Sequence, residues 1–471
     1  MLNDDWKEQC GVVGVHGHSE AANLVYLGLY ALQHRGQESA GIVASDGNHL
    51  VSHRGLGLVA DVFDEAIIRR LQGHAAIGHN RYSTSGATLL KNAQPLAVES
   101  AEGGVAVAHN GNITNAIQLR RELESIGSIF QSTTDTEVIL HLMARAADKV
   151  TIGRVVTALK QVQGAYALVF LTEKEMIAAR DPHGFRPLVL GSMGQTAIVA
   201  SETCAFDLIG ATYEREIEPG EILLINKGGC QSIHPLPRVT PASCVFEYIY
   251  FSRPDSCVYG RNVYLVRRAM GRQLAAEQPA HADLVVPVPD SGVPAALGYA
   301  EESKLPFEFG LIRNHYVGRT FIEPEQRIRD FGVKIKLNPQ RHILTGKRVA
   351  VVDDSIVRGT TCRKLIKMIR DAGAKEVHMR ISSPPIIGSC FYGVDTPIRD
   401  KLIASNHDVP GIREIIGADS LGYLSLEGLR AVIGENTGAS ELCAAYFTRR
   451  YAVPTTGESN RDGHYKVIDT D

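Results

Sequence analysis

At residues 348–362 the chain reads RVAVVDDSIVRGTTC. The β-branched run from Val349 to Val352 is typical of a strand that is buried on both faces of a parallel sheet. Two carboxylates follow the run, then a turn with one glycine and three hydroxyl residues, and apolar residues recur at helical spacing from Leu365. The pattern predicts a strand, a loop and a helix, in that order.

This strand, loop and helix together have the chemistry of a phosphate site. Ligands of open α/β sheets bind outside the carboxyl ends of strands, and free amides at a helix N-terminus attract anions. Gly359 lets the backbone approach a phosphate closely. Because Asp353 and Asp354 would repel a phosphate, we expect them to face sugar hydroxyls or a divalent cation. A ribose 5-phosphate with a magnesium-bound group meets both demands; the alternative is a plain turn whose acids cap the helix.

The stretch resembles the signature of the type I phosphoribosyltransferases, a strand ending in two acids and a threonine-rich turn that bind 5-phosphoribosyl 1-pyrophosphate (PRPP). The resemblance implies that Asp353 and Asp354 hold the ribose hydroxyls and help to place Mg²⁺, while residues 355–361 hold the 5-phosphate. The residues that it assigns to PRPP are Asp353, Asp354, Ser355, Ile356, Val357, Arg358, Gly359, Thr360 and Thr361.

Two further segments complete the predicted acceptor site. The apolar strand at 283–289 ends in Asp-Ser-Gly. The resemblance implies that this loop faces pyrophosphate and that Ser291 lies near the metal with Asp353 and Asp354. Residues 313–339 are rich in arginine, lysine and aromatic residues with little periodicity. We expect a lid that orders over the polyanion and excludes water, with a solvated surface loop as the alternative.

Composition limits the possible functions of the chain. Its 471 residues predict two or three domains, and 44% hydrophobic with 21% charged residues is ordinary for a globular protein. A net charge of −3 gives no sign of a nucleic-acid or membrane partner. No apolar run approaches the roughly 20 residues that span a bilayer, and there is no signal-peptide pattern. The expected location is the cytoplasm, with the eight scattered cysteines reduced.

The N-terminal region changes character at Cys10, where a polar stretch gives way to the apolar strand CGVVGV. A cysteine that opens a strand is usually a buried structural thiol, yet three later segments suit a catalytic one. Residues 78–84 offer a guanidinium for a carboxylate, residues 109–112 an amide beside a glycine as in an oxyanion hole, and residues 133–137 a carboxylate for an ammonium group. Together they suit an amino acid with an acyl side chain.

Four motifs in this half resemble those of the class II, N-terminal-nucleophile glutamine amidotransferases. The resemblance implies that Cys10 attacks the glutamine amide and that Asn110 and Gly111 stabilise the tetrahedral oxyanion. It assigns Arg81 to the α-carboxylate and Asp135 to the α-amino group. The glutamine-binding set is Arg81, Tyr82, Thr84 and Asp135. The four motifs are CGVVG at 10–14, QHRGQ at 33–37, NRYST at 80–84 and HNG at 109–111.

The resemblance names no histidine or aspartate partner as a base for the Cys10 thiol. Its own α-amine, with a reference pKa of about 7.7–8.0, must then take the proton. This requires Cys10 to become the first residue of the active enzyme. Residues 1–9 are therefore predicted to be a propeptide that is removed.

Apolar periodicity and turn residues predict further elements of this half. Strands are predicted at 106–109, 166–171 and 222–225, and helices at 115–125 and 136–147. Residues 180–188, RDPHGFRPL, predict a structural hairpin turn. Clustered prolines predict a domain boundary near 235–245.

Across nearly its whole length the chain resembles the amidophosphoribosyltransferase family. The implied fold is α/β and multidomain: an N-terminal-nucleophile αββα glutaminase domain at 10–240, a type I phosphoribosyltransferase parallel-sheet domain at 245–450 and a flexible tail at 454–471. The implied reaction transfers ammonia from glutamine to C1 of PRPP through a shielded passage. It gives 5-phosphoribosylamine, pyrophosphate and glutamate, the first committed step of purine (IMP) synthesis.

The resemblance also carries expectations about assembly and regulation. It implies a homotetramer and feedback inhibition by purine nucleotides. It further makes Arg35 and Tyr259 candidates for coupling the lid and the two sites.

An iron–sulfur site is the last feature that the resemblance raises. Bacillus-type members of the family hold a [4Fe-4S] cluster with four cysteines, and thiolate is the usual ligand for such iron. Cys244, Cys390 and Cys443 match that set, but Tyr446 stands at the position of the fourth ligand. A packed, cluster-free site is therefore expected.

Two other classes of function remain open. A catalytically silent PRPP sensor would keep the phosphate loop, but it predicts a basic DNA-binding segment that the sequence does not show. An amidotransferase for another acceptor, such as a sugar-phosphate aminating enzyme or an asparagine synthetase, would lack the loop at 353–361.

Overall fold

The computed structural model describes residues 10–82, 89–100, 102–314, 337–394, 396–397, 399–434 and 441–453. Several features predicted from the sequence lie outside these residues. They are the propeptide at 1–9, Thr84, most of the cationic loop and the tail at 454–471.

Two antiparallel sheets build the N-terminal half, because its small and β-branched residues suit strands that pack on both faces. The strands are β1 (Gly11–His16), β2 (Ser39–Ser45), β3 (Leu50–Leu56), β4 (Ala75–Arg81), β5 (Leu96–Ser100), β6 (Gly103–Ile113), β7 (Gly164–Leu171), β8 (Met176–Arg180), β9 (Val189–Met193), β10 (Thr196–Ala200), β11 (Thr212–Glu216), β12 (Ile222–Asn226) and β13 (Gly229–Ile233). Among the described residues, one sheet has the order β11-β9-β10-β1-β4-β2-β3 and the other β13-β12-β8-β7-β6-β5.

Helices cover the outer face of each sheet. They are α1 (Ala21–Ala31), α2 (Val59–Val62), α3 (Glu65–Arg70), α4 (Ala116–Ser125), α5 (Glu137–Arg145), α6 (Thr151–Leu159) and α7 (Cys204–Ile209), with a short 3₁₀ turn at Leu90–Asn92. One core, which includes Leu29, lies between the first sheet and α1 and α7. A second, with Val155, lies between the other sheet and α4 to α6, and a third, with Ile77, lies between the sheets. The predicted αββα arrangement is confirmed.

A parallel sheet forms the centre of the C-terminal half. The strands are β14 (Ala242–Cys244), β15 (Cys257–Val258), β16 (Arg261–Asn262), β17 (Leu284–Pro287), β18 (Leu311–Arg313), β19 (Leu337–Pro339), β20 (Arg348–Asp353), β21 (Glu376–Ile381), β22 (Ser420–Tyr423) and β23 (Glu441–Cys443). Of these, β17, β20, β21 and β22 run parallel in that order. The run from Val349 to Val352 is the buried middle of β20, as its sequence predicts.

Helices cover both faces of the parallel sheet. They are α8 (Val263–Glu277), α9 (Val293–Ser303), α10 (Arg341–Leu344), α11 (Thr360–Asp371), α12 (Ile403–Asn406), α13 (Val409–Ile416), α14 (Leu426–Gly434) and α15 (Ala445–Thr448), with a π-helical turn at Glu247–Phe251 and a 3₁₀ turn at Arg399–Lys401. The core on one face includes Met270 of α8, and that on the other includes Leu365 of α11. The predicted parallel-sheet fold is confirmed.

The segment 180–188 is not the hairpin turn that its sequence predicts. It leaves β8 in one sheet and enters β9 in the other, so it crosses between the two sheets. Asp181 holds the crossover by accepting the backbone N–H groups of Tyr166 at 3.1 Å and His183 at 3.0 Å. Turn residues mark a change of direction, but they do not specify which sheet the next strand joins.

Candidate active sites

Cys10 stands at the start of β1, where the strand pairs with the end of β4. Gly11 lies opposite Asn80 in this pairing. The Cys10 thiol is buried, and its Sγ donates a hydrogen bond to the carbonyl oxygen of Tyr82 at 3.5 Å. The register of two central strands therefore brings Cys10 beside the motif at 80–82.

The surroundings of Cys10 keep its thiol protonated. Burial raises the pKa of this thiol to about 11, against the lowering effects of the Tyr82 carbonyl contact and the charge of Arg81. The charges of Asp135 and Glu38 raise it further. Arg81 and Asp135, which the sequence assigns to glutamine, thus both act on the thiol electrostatically. At neutral pH the thiol needs a base before it can attack.

Asn110 and Gly111 lie in the middle of β6, in the sheet that packs against β1 and β4. Asn110 is fully buried, and neither atom of its side-chain amide has a hydrogen-bond partner among the described residues. Gly111 has φ +153°, and a Cβ there would lie 2.1 Å from the Ala165 carbonyl oxygen, so only glycine fits. Buried polar groups are nearly always paired inside a protein. An orphaned amide beside a glycine peptide therefore has the character of an oxyanion hole.

Two contacts fix β6 and the loop before α5 in relation to this pair. The His79 ring donates to the His109 carbonyl oxygen at 3.0 Å, and burial lowers the pKa of His79 to about 3, which keeps the ring neutral. Asp135 Oδ2 accepts the Ile113 N–H at 2.8 Å and lies 3.7 Å from His109 Nδ1. The predicted residues Cys10, Arg81, Asn110 and Asp135 are thus brought into one region; Thr84 lies outside the described residues.

The acceptor site lies where β17 and β20 end side by side. Pro287 pairs with Val352, and the Val288 N–H donates to the Val352 carbonyl oxygen at 2.9 Å. Since both strands are parallel, the loops that follow them meet at the same edge of the sheet. Ser291 lies across from the Asp354 side chain and interacts with it between these two loops.

The loop from Asp353 to Gly359 is organised by its own acids and by one glycine. Asp353 accepts the Asp354 N–H at 2.9 Å, and Ser355 Oγ donates to Asp354 at 2.5 Å. Gly359 is the N-cap of α11 with φ +79°, and a Cβ there would lie 2.7 Å from Ile403 Cδ1. Burial raises the pKa of Asp354 against the lowering effects of Ser291, Ser355 and the charge of Arg267.

Arg267 of α8 is a site residue that the sequence analysis missed. Its buried guanidinium donates to the carbonyl oxygens of Tyr248 at 2.7 Å and Ser252 at 2.8 Å. Burial lowers its pKa to about 10, and the nearby Asp354 carboxylate is the main charge that opposes this. The sequence feature that could have identified this residue is an arginine within the apolar pattern of α8.

Arg35, a candidate for coupling the sites, contacts residues of both halves of the chain. It donates to Glu202 at 2.5 Å and to Glu247 at 2.5 Å, and all three side chains are buried. Arg186 of the crossover also donates to Glu247, at 3.2 Å. The signal for Glu247 was a lone acid inside the apolar run VFEYIYF. Tyr259 joins the halves separately, since its hydroxyl donates to the Phe185 carbonyl oxygen at 2.7 Å.

The three candidate iron ligands are close together but do not stand as a metal site. Cys244 lies opposite Cys443 in the pairing of β14 with β23, and Cys390 and Tyr446 act on them electrostatically. All four side chains are buried, and burial raises the pKa of Cys244 to about 11. Among the described residues, no three histidine, cysteine or acidic side chains are placed to hold a metal ion. Tyr446 fills the fourth position, so these residues do not fit the cluster.

Comparison with known proteins matches both halves. A glutamine amidotransferase domain model matches residues 79–207, and a phosphoribosyl transferase domain model matches residues 262–382. The chain is 55% identical to amidophosphoribosyltransferase 2, chloroplastic, of Arabidopsis thaliana, over 98% of this chain and 83% of that protein. The chain belongs to the amidophosphoribosyltransferase family. Membership makes it an enzyme, a glutamine-dependent phosphoribosyltransferase of the glycosyltransferase class, in purine biosynthesis.

Two solved structures agree with the family over the whole fold. A structure of the allosteric regulatory enzyme of purine biosynthesis superposes with a TM-score of 0.92 at 51% identity, covering 95% of this chain and 97% of that chain. The glutamine phosphoribosylpyrophosphate amidotransferase of Bacillus subtilis, solved in complex with ADP and GMP, gives 0.91 at 51% identity, covering 95% and 98%. The amidophosphoribosyltransferase relatives thus include chloroplastic and bacterial proteins and one that binds nucleotides. In the described part of this chain, no helix is both long and apolar enough to cross a bilayer.

Proposed function

We propose that the chain makes 5-phosphoribosylamine, with pyrophosphate and glutamate, from PRPP and glutamine. The observation that supports this best is the orphaned Asn110 amide in the same region as a buried cysteine. A second loop in the same chain carries two acids and a helix N-terminus suited to a ribose phosphate. Glutamine hydrolysis accounts for the residues around Cys10, and phosphoribosyl transfer accounts for the acidic loop before α11.

In the glutaminase half, Cys10 Sγ attacks the amide carbon of glutamine. The Asn110 amide and the Gly111 N–H stabilise the oxyanion of the tetrahedral intermediate, which expels ammonia and leaves a thioester. Water then releases glutamate and restores the thiol. Arg81 binds the α-carboxylate and Asp135 binds the α-amino group, and Tyr82 and Thr84 complete the glutamine-binding set.

The α-amine of Cys10 serves as the base that takes the thiol proton. The raised pKa of the buried thiol supports the need for a base, and this assignment requires that residues 1–9 be removed. N-terminal sequencing of active enzyme is expected to begin at Cys10. An intact Met1 terminus on enzyme with full glutamine-dependent activity would contradict removal.

The C-terminal half, which carries the proposed PRPP site, is the acceptor half. There residues 353–361 hold PRPP, and ammonia attacks C1 as pyrophosphate leaves. Asp353 and Asp354 bind the ribose hydroxyls and favour the positive charge that develops on the ring. The oxygen atoms of Ser291, Asp353 and Asp354 suit Mg²⁺, which takes one or two carboxylates together with substrate phosphates. When bound, Mg²⁺ supplies charge that neutralises the departing pyrophosphate. Ammonia passes between the sites inside the protein, where water cannot protonate it.

The finer features of the molecule are also proposals. The glutaminase domain covers 10–240, supported by β13 closing its sheet at Ile233, and the acceptor domain covers 245–450, with a flexible tail at 454–471. The eight cysteines carry no disulfide, which suits the cytoplasm. By analogy with the Bacillus subtilis relative that binds ADP and GMP, purine nucleotides regulate this enzyme.

We also propose that the chain assembles as a homotetramer. Sedimentation analysis of the purified protein tests this oligomeric state.

We propose that no iron–sulfur cluster is bound. Tyr446 is 1% exposed and its ring packs 4.7 Å from that of Phe246, so the fourth corner is filled by a side chain of the core. Protein purified without oxygen is expected to contain no stoichiometric iron and no acid-labile sulfide. Stoichiometric amounts of both would contradict the proposal.

The experiment that tests the function is pyrophosphate release from PRPP by the wild type and by Cys10→Ala. Each is supplied with glutamine, or with ammonium at alkaline pH. We expect Cys10→Ala to lose the use of glutamine and to keep that of ammonia. Cys230→Ala, at an exposed thiol, is the control and should keep both. If the wild type releases no pyrophosphate with either nitrogen source, the silent PRPP sensor becomes the better explanation.

A further inference from the structure

Three consecutive residues of the acceptor half, Phe391 to Gly393, dock on the glutaminase half beside the oxyanion residues. The Phe391 carbonyl oxygen accepts from Asn112 Nδ2 at 2.9 Å. The Tyr392 carbonyl oxygen accepts from Arg186 Nε at 3.0 Å and Nη2 at 2.8 Å. Gly393 then lies directly on β6. We call residues 391–393 the docking loop.

The contact at Gly393 is backbone on backbone. Gly393 has φ +98°, and a Cβ on it would lie 2.7 Å from the Gly111 carbonyl carbon and 2.8 Å from the Gly111 Cα. Gly111 in turn packs closely on the Ala165 carbonyl of β7. The peptide that carries the proposed oxyanion donor therefore touches β7 and the docking loop, and it has little room to shift.

The docking loop is itself held firmly. The Cys390 N–H donates to Thr396 Oγ1 at 2.7 Å, and the Tyr392 hydroxyl exchanges hydrogen bonds with the backbone of Val453, both at 2.9 Å. The Tyr392 ring stacks on Phe185 with 4.3 Å between centroids. Because the loop is braced from both halves of the chain, it can serve as a fixed support.

The same loop is linked to the proposed PRPP loop through α12. The Ile403 N–H donates to the Val357 carbonyl oxygen at 2.9 Å, and Ser405 Oγ donates to the Ile387 carbonyl oxygen at 3.0 Å. One short helix thus contacts the loop that would bind PRPP and the segment that leads into the docking loop.

We propose that the docking loop is a positioning element for glutamine hydrolysis: by packing on Gly111 it holds the Asn110–Gly111 peptide where the oxyanion forms. This rests on the proposed function, because it assumes glutamine chemistry at Cys10. The acceptor half then supports the first step of the reaction as well as carrying out the second. The docking residues touch no substrate; they act through Gly111.

The test compares Gly393→Ala with Gly417→Ala. Both glycines have positive φ in the acceptor half, but a Cβ at Gly417 meets nothing within 4 Å, so the control carries the backbone strain without the clash. We expect Gly393→Ala to lower kcat with glutamine at least tenfold, with a smaller change in KM for glutamine and ammonia-dependent pyrophosphate release like that of the control. Removing an oxyanion donor outright typically costs 10²–10³ in kcat, which sets the upper range.

Alkylation of Cys10 provides a readout that a general folding defect would move. Iodoacetamide forms an S–C bond with the thiolate and expels iodide without creating an oxyanion. Peptide mapping after a timed reaction should therefore show the same Cys10 alkylation rate in Gly393→Ala and the wild type. Asn112→Ala, which removes the hydrogen bond to Phe391, should lower glutamine-dependent kcat in the same direction with less disturbance of the backbone.

The outcomes separate the two proposals. If the wild type uses glutamine and ammonia, and Gly393→Ala and Asn112→Ala keep full glutamine-dependent kcat, the docking loop has no positioning role. If Gly393→Ala loses both activities and Cys10 alkylation together, its effect is structural and the inference is overturned. A wild type that is inactive with both nitrogen sources overturns the proposed function itself.

Discussion

At Asn110 a buried amide that has no partner in the described part of the chain costs stability, and the fold retains it. Leaving such a group unsatisfied typically costs about 1–3 kcal/mol. Asn110→Ala is therefore expected to keep or slightly raise the free energy of unfolding, while it lowers glutamine-dependent kcat by about 10²–10³. Steady-state kinetics with glutamine and with ammonia checks this, and ammonia-dependent activity should stay at the wild-type level. Equal loss of both activities would remove Asn110 from the oxyanion role.

Glu137, the first residue of α5, makes stability depend on pH. Burial raises the pKa of its carboxyl, but the nearby His141 ring and hydrogen bonds from Gln131 and Ser132 lower it more, to about 2. A depressed folded-state pKa stabilises the fold above the unfolded pKa, and this contribution is lost as pH falls from about 4.5 toward 2. We expect Glu137→Gln to lower the free energy of unfolding by about 3 kcal/mol at pH 7 and by clearly less at pH 3.5.

Urea denaturation at both pH values measures this effect. Glu65 is the matched control because it is also the first residue of a helix, α3, but lies 80% exposed in its ion pair with Arg69. Glu65→Gln should change the free energy of unfolding by no more than about 0.5 kcal/mol at either pH. An equal loss at pH 7 and pH 3.5 for Glu137→Gln would show that the charge is not responsible.

Among the elements, the turn from β20 into α11 depends on Gly359. A Cβ there adds strain at φ +79° and meets Ile403 Cδ1 at 2.7 Å. Because this turn serves PRPP whichever nitrogen source is used, Gly359→Ala is expected to raise KM for PRPP at least tenfold with both glutamine and ammonia. Gly346→Ala, at φ +73° in open space, is the control and should leave KM for PRPP unchanged. A KM effect with only one nitrogen source would contradict this role.

The elements also show what sequence can and cannot predict. The strand at 349–352, the acids after it and the glycine before α11 are local features, and each stands where the pattern places it. The sequence predicts a hairpin turn at 180–188, but the segment crosses between the two sheets. The sheet that β9 joins is chosen by tertiary packing, which local turn residues do not encode. The bond between Asn112 and Phe391 joins residues 279 positions apart, and no periodicity in either segment indicates it.

For the molecule as a whole, two buried arginines and two buried glutamates join the halves. Glu247 accepts from Arg35 at 2.5 Å, from Arg186 at 3.2 Å and from Ser252 at 2.6 Å. Glu247→Ala removes the buried carboxylate that pairs with Arg186 and leaves Arg35 with Glu202 alone, so we expect the free energy of unfolding to fall by about 3–5 kcal/mol. Chemical denaturation measures the loss.

A surface ion pair provides the control for Glu247→Ala. Asp371 pairs with Lys367 at 3.2 Å on the exposed side of α11. Asp371→Ala should cost no more than about 1 kcal/mol. If Glu247→Ala costs equally little, the buried network does not hold the halves together.

The pairing of β14 with β23 bears on the order in which the molecule is made. Residues 242–244 find their parallel partner about 200 residues later, at 441–443. The glutaminase sheet is complete at Ile233, so it can fold on the ribosome while the partner of β14 is still unsynthesised. At about 5–20 residues per second the wait is roughly 10–40 s. During this time β6 has no docking loop on it, and the Asn110–Gly111 peptide gains that support only after translation has brought the acceptor half into place.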